Sequence, residues 1–295
     1  MTNAQSPATT YDIIGDVHGH YDKLISLLKK LGYEKQEGVW QKFNHLAVFV
    51  GDLIDKGPNA AAVLTTVRNM VDAGSAMLVV GNHELNWIHD AADHTGDVIA
   101  FLDATEKHHS RVQLTQAFKY EPNRLISLFE WLRDQPIYID EPELRVVHAC
   151  WDEEAIACLK EAGITCLDHK GLAAYRDTYS DQHLALDRVV AGCAHQFPSS
   201  LAHNSGFRSK RFRIQWWPED WAAINPIESN VVPVQIQGPK PDSAPVFFGH
   251  YAMIGEPDTL GVNIAGVDYS AAYGGKLIAY RHTTGQPLAR EHFVT

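Results

Sequence analysis

Cysteine is scarce: Cys150, Cys158, Cys166 and Cys193 are the only four in 295 residues, and none shares a C-x-x-C spacing with another. Four are too few to staple a chain of this length, and the spacing offers no thiolate zinc site, so reduced thiols packed among other side chains are expected. Long hydrophobic runs are missing too. Nothing approaches the roughly 18 uninterrupted apolar residues of a membrane span, and the opening "MTNAQSPATT" has neither a basic n-region nor an apolar h-region. A soluble cytoplasmic protein without a membrane partner is expected. Basic charge is short, with 25 Lys and Arg against 36 Asp and Glu for a net charge of −11, which argues against general nucleic-acid binding. No internal repeat or low-complexity tract stands out. The glycines of "GDVHG" lack the Gly-Lys-Ser/Thr end of a P-loop, so nucleotide cradling by that loop is not expected.

What is present is a 45% hydrophobic chain, ample for a buried core. A disordered tail is expected over 1–10, followed by one domain over 11–295. "YDIIGD", "HLAVFVGD", "AMLVVGNHE", "LRVVHACWD" and "PVFFGHY" are apolar runs that end in, or just before, polar residues, the pattern of buried strands. Between them, "YDKLISLLKKLGY" carries Leu24, Leu27, Leu28 and Leu31 at helical spacing, and "NAAAVLTTVRNMVDAG" reads as a helix closed by Gly74. Strands alternating with helices indicate βαβ units and a mainly parallel sheet, an α/β fold whose ligands bind beyond the carboxyl ends of the strands. The last segment, "GVNIAGVDYSAAYGGKLIAYRH", reads as two strands joined by a Gly274-Gly275 turn. Two less regular regions, about 92–125 and 194–243, are expected to be insertions that shape a site.

The strand ends collect Asp16 and His18, Asp52 and Asp55, Asn82 and His83, His148, and His250. Asp, His and Asn without cysteine suit Mn²⁺, Fe or Zn²⁺, and a carboxylate can bridge two cations about 3.5–4 Å apart, as in two-metal hydrolytic sites.

"GDVHG", "GDLIDKGP", "GNHE", His148 on a strand and "GH" at 249–250, in that order, resemble the calcineurin-like metallophosphoesterase superfamily over about residues 11–282. Within it they resemble the phosphoprotein phosphatase branch and its bacterial relatives, which include symmetrical dinucleoside tetraphosphatases. The resemblance implies a β-sandwich of two mixed sheets flanked by helices and two divalent metal ions, manganese before iron or zinc. It implies Asp16 and His18 as ligands of the first metal, Asp52 as the bridge, and Asn82, His148 and His250 as ligands of the second. It also implies a water between the metals attacking phosphorus in line, His83 protonating the departing alkoxide, and Asp55 holding the His83 ring.

The family commonly has Arg where this chain has Lys56, which keeps the charge but loses the bidentate grip on phosphate. The basic stretch "FRSKRFR" offers compensation, with Arg213 the first and Arg211 the second candidate for a phosphate contact. His195 also ends an apolar run and rivals His148. Trp216, Trp217 and Trp221 read as packing before base stacking. The function expected is hydrolysis of phosphomonoesters, protein phosphatase-like, on a phosphoprotein or a small phosphoester or nucleotide. The alternatives are a dinucleoside tetraphosphatase and a non-catalytic binder of a phosphorylated ligand.

Overall fold

The computed structural model describes residues 9–202, 208–217 and 236–295, with backbone alone over 195–202 and 208–212. Strand β1 (Thr10–Ile14) starts within the expected tail and leads to helix α1 (Tyr21–Leu31), whose four leucines are all buried as their spacing predicts. A small hairpin, β2 (Glu34–Gln36) and β3 (Val39–Gln41), precedes β4 (His45–Phe49) and α2 (Ala60–Asp72). The Asn59 side chain caps α2 through the Ala62 N–H at 3.1 Å. Next come β5 (Ala76–Leu78) and α3 (Asn82–Ala91).

The region expected to be irregular is helical: α4 (Val98–Glu106), α5 (Val112–Ala117) and the start of α6 (Pro122–Arg133) lie there. Asp97 caps α4 by accepting from Ile99 and Ala100, and Phe101 and Ala104 are buried in the hydrophobic core. Beyond α6 follow β6 (Tyr138–Glu141), β7 (Leu144–Val147), α7 (Glu153–Glu161), α8 (His169–Arg176) and α9 (Asp181–Ala191). The hairpin β8 (Ala194–Ala202) and β9 (Arg208–Arg213) leads towards β10 (Val246–Phe248), β11 (Ile264–Gly266), β12 (Ala279–Thr283) and β13 (Phe293–Val294).

Two mixed sheets result, ordered β13-β12-β1-β4-β5 and β11-β10-β7-β6. Strands β1, β4 and β5 run parallel, as do β7, β10 and β11; antiparallel strands, β12 with β13 and β6, lie at one edge of each sheet. Period-2 alternation decides which residues meet. Ile13, Val48, Val146 and Phe247 fill the layer between the sheets, while their neighbours Ile14, Phe49, Val147 and Phe248 face the helices. The last segment differs from the expected hairpin: β11 belongs to one sheet and β12 to the other, so the chain around Gly274 and Gly275 crosses between sheets. Ala265 and Tyr280 share the inter-sheet layer, and a hairpin would have placed both strands in one sheet.

Candidate metal centre and active site

The parallel strands of both sheets point their carboxyl ends at one place. Asp16 and His18 follow β1, Asp52 follows β4, Asn82 and His83 open α3 after β5, His148 follows β7 and His250 follows β10. The chain bends sharply there: His18, Asp52, Asp55, Lys56 and His250 all hold positive φ, between 44° and 70°. Such strain in non-glycine residues persists where the surroundings over-determine it. Two glycines leave room for the carboxylates, since a Cβ on Gly249 would run into Asp16 Oδ1 and one on Gly81 into Asp52 Oδ1.

Asp52 lies at the centre. Its Oδ1 is 3.4 Å from His148 Nε2, and its Oδ2 is 3.4 Å from His18 Nε2 and 3.9 Å from His83 Nε2. Asn82 Oδ1 lies 3.2 Å from His148 Nε2 and 2.8 Å from His250 Nδ1. Asp16 Oδ2 stands 4.0 Å from His18 Nε2, and both Asp16 oxygens accept from the His250 N–H. Two sets that could hold a cation thus share Asp52: His18, Asp52 and His83, and Asp52, His148 and His250.

The donor set fits divalent metals. His148 Nδ1 is 2.7 Å from the Val50 carbonyl and His18 Nδ1 is 2.9 Å from that of Ile54. A carbonyl only accepts, so each Nδ1 carries a proton and Nε2 is the nitrogen left to face the centre. His148 Nε2 has two oxygens crowded on it, Asn82 Oδ1 at 3.2 Å and Asp52 Oδ1 at 3.4 Å, an arrangement of converging donor atoms that suits a cation. Charge tells the same story. Burial, with Asp268 and Asp52 adding to it, pushes the Asp16 carboxyl well above the usual range, and burial lowers His18 to about 4. Burial also works against the Asp52 charge, but His148, His83 and His18 more than offset it and hold that carboxyl well down.

His83 stands apart in its second partner. Its Nδ1 is 2.6 Å from Asp55 Oδ2, and Asp55 Oδ1 accepts from Ser110 Oγ at 2.9 Å and Arg111 Nε at 3.3 Å. Arg111 is buried and also reaches Asp90 at 3.4 Å. Burial disfavours the Asp55 charge, yet His83 and Arg111 hold its carboxyl below the ordinary value. Ser110 and Arg111 come from the helical insertion and were not singled out in the sequence.

Two carboxylates were missed as well. Glu84, the last residue of "GNHE", accepts from the backbone of Asp52, Gly81, Leu53 and Ile54 at 2.8 to 3.1 Å. It clamps the turn that presents Asp52 to the start of α3. Burial and the Asp52 charge push it up to about 7, against the pull of His148, His83 and the N–H groups. Asp268 accepts from Ala252 and Ser270, fixing the loop beyond His250. The motif spacing could have exposed Glu84; Asp268 carries no sequence signal.

Lys56 Nζ lies 3.1 Å from His18 Nε2. Arg213 Nη1 donates to the His250 carbonyl at 2.7 Å and helps to line a cavity of about 340 Å³ with Asn82, Asn86 and His250. Trp216 is buried, and Trp217 packs on Phe248 and Tyr251. The side chains of Arg211 and His195, and the whole of Trp221, lie outside the described residues.

The model of the calcineurin-like phosphoesterases matches residues 9–251, a span that includes Asp16, His18, Asp52, Asn82, His83, His148 and His250. The chain belongs to the calcineurin-like phosphoesterase family. It is 27% identical to the symmetrical bis(5'-nucleosyl)-tetraphosphatase of Enterobacter sp. over 295 aligned residues, covering 92% of this chain and 91% of the relative. A shorter match, 49% over 74 residues, links it to the asymmetrical bis(5'-nucleosyl)-tetraphosphatase PrpE of Halalkalibacterium halodurans, covering 25% of this chain and 30% of that protein. The chain thus spans under a third of the length of that relative. The cold-active protein-tyrosine phosphatase of a psychrophilic Shewanella shares the fold at a TM-score of 0.51 and 20% identity, over 94% of this chain and 80% of that one. Family membership accounts for the donor set, because these phosphoesterases imply divalent metal ions. Among the described residues, no helix is long and apolar enough to cross a membrane.

Proposed function

We propose that the protein is a two-metal hydrolase of phosphoric anhydrides, with a dinucleoside polyphosphate as substrate. The observation that carries the hydrolase reading is Asp52, whose two oxygens reach two separate histidine sets while His83 is held beside them by Asp55. Asp16, His18 and Asp52 would hold one metal, and Asp52, Asn82, His148 and His250 the other. The pair, when bound, supplies a polarised phosphoryl oxygen and a water of lowered pKa. The anhydride reading is supported by the Enterobacter relative, which matches nearly the whole chain and is named for cleaving a bis(5'-nucleosyl) tetraphosphate.

The chain's own residues supply the rest. Lys56 lies beside His18 and Arg213 beside His250, and both would grip phosphate oxygens. His83 is the group free to hand a proton to the departing oxygen: its ring is 21% exposed, while His18 and His148 are enclosed. Asp55 orients it through Nδ1, leaving Nε2 to face the reaction, and Ser110 and Arg111 keep Asp55 in place. The phosphomonoesterase reading stands second, favoured by the open approach to His83, because a lone phosphate needs no second binding region.

The test is turnover by metal-stripped protein with Mn²⁺, Zn²⁺, Mg²⁺ or buffer added back, on dinucleoside tetraphosphate and on p-nitrophenyl phosphate. Metal-dependent release of nucleoside diphosphate is expected. Phosphate from p-nitrophenyl phosphate alone would move the assignment to monoesters. Silence on both, from protein that binds metal, would leave a non-catalytic binder.

A further inference from the structure

Beside Lys56 lies a second cavity of about 530 Å³, formed by the loop after His250 and the crossing between β11 and β12. Tyr273 stands at its edge, 70% exposed, with Lys56 Nζ 4.8 Å from the centre of its ring. The same ammonium is 3.1 Å from His18 Nε2, so one lysine side chain spans the step from the metal centre to the tyrosine. The walls are built in advance. Ser270 Oγ donates to the Met253 carbonyl at 2.9 Å, the N–H groups of Tyr273 and Gly275 donate to Ser270 at 2.8 and 2.9 Å, and Lys23 ties down Ala271 and Gly275. Asp268, which fixes the His250 loop through Ala252, also accepts from Ser270. The pocket and the metal site therefore share one hydrogen-bonded frame.

We propose that this pocket takes the base of the nucleoside next to the cleaved phosphate chain, with Tyr273 as its stacking platform and Lys56 joining base pocket to phosphate. The assignment rests on the hydrolase reading above and adds a specificity residue to it. The chemistry selects a heterocycle. Ile254, Met253 and Tyr273 supply apolar and aromatic surface, while Glu256 and Lys276 at the lining offer an acceptor and donors that the nitrogens of a base can use and the all-carbon ring of phosphotyrosine cannot. Trp216 and Trp217, the described tryptophans near the site, are spent on packing against Phe248, whereas Tyr273 is exposed.

The test is calorimetric binding of adenosine diphosphate, pyrophosphate and phosphotyrosine to metal-loaded wild type, Tyr273→Ala and Tyr273→Trp, alongside turnover of the dinucleoside tetraphosphate. Base stacking is worth about 1–3 kcal/mol, so Tyr273→Ala is expected to weaken adenosine diphosphate by about 5- to 150-fold. Pyrophosphate should bind all three proteins alike, and Tyr273→Trp should restore the nucleotide. Because the side chain is exposed, the variants should fold. Equal loss for both ligands would show that Tyr273 acts only through Lys56, and would overturn the proposal. So would no loss for either, or phosphotyrosine binding tighter than adenosine diphosphate. Base-selective binding without turnover would refute the hydrolase reading and keep the pocket; turnover without base selectivity would do the reverse.

Discussion

His83 and Lys56 test the site most directly at the scale of single residues. His83 contacts Asp55 at 2.6 Å and reaches Asp52 only at 3.9 Å. We expect His83→Asn to retain both metals, by metal analysis, and to slow substrates with poor leaving groups about 10²–10⁴-fold, the usual worth of a general acid. An alkyl phosphate hydrolysed at the wild-type rate would remove that role. Asp52→Asn should instead lose metal and rate together, since its oxygens serve both histidine sets. Lys56→Arg is expected to lower the Michaelis constant for a terminal phosphate by restoring a bidentate contact. A rise would show that Lys56 serves Tyr273 and not the phosphate. These residues were legible because they recur in short motifs; Ser110 and Arg111 were not, because nothing near them in the chain pairs with them.

Elements contribute what single motifs cannot. The stretch of about 92–125 reads as irregular, yet Asp97 and the apolar positions of α4 make its first part a capped helix, and a short turn through Arg111 leads on to α5. It places Arg111, buried, against two carboxylates, Asp55 and Asp90. Removing one partner of a buried ion pair costs about 3–5 kcal/mol, so Arg111→Met should lower the unfolding free energy by about that amount, read from denaturant titration. It should also depress kcat, because Asp55 would no longer be held against His83. Unchanged stability would mean that water replaces the guanidinium. At the turn after β10, Gly249→Ala is expected to push Asp16 aside and reduce metal content while leaving the sandwich intact by circular dichroism.

The whole molecule sets the response to pH and to metal. Burial drives Asp16 up, with Asp268 and Asp52 adding to it. Burial opposes a charged His148, but Asp52 prevails and raises it above its ordinary value. Raised groups hold their protons as pH climbs towards neutrality, and a metal must displace them. Metal affinity should therefore rise with pH through the neutral range, and titration calorimetry in buffers of different ionisation enthalpy should find about one or more protons released on loading. Affinity that does not change with pH would contradict the carboxylate and imidazole set as ligands. The sequence alone determined the chemistry on offer, because strands of period 2 and glycine-flanked Asp, His and Asn are local patterns that need no partner to be read. It also implied two mixed sheets through its family resemblance. Only the tertiary structure decided that the strand ends of two sheets converge on Asp52, that Glu84 and Asp268 lock the turns, that Arg111 holds Asp55, and that β11 and β12 part into different sheets to open the Tyr273 pocket. Most of those outcomes depend on contacts between residues distant in the chain, which are set by which faces can be buried together and not by any spacing along it.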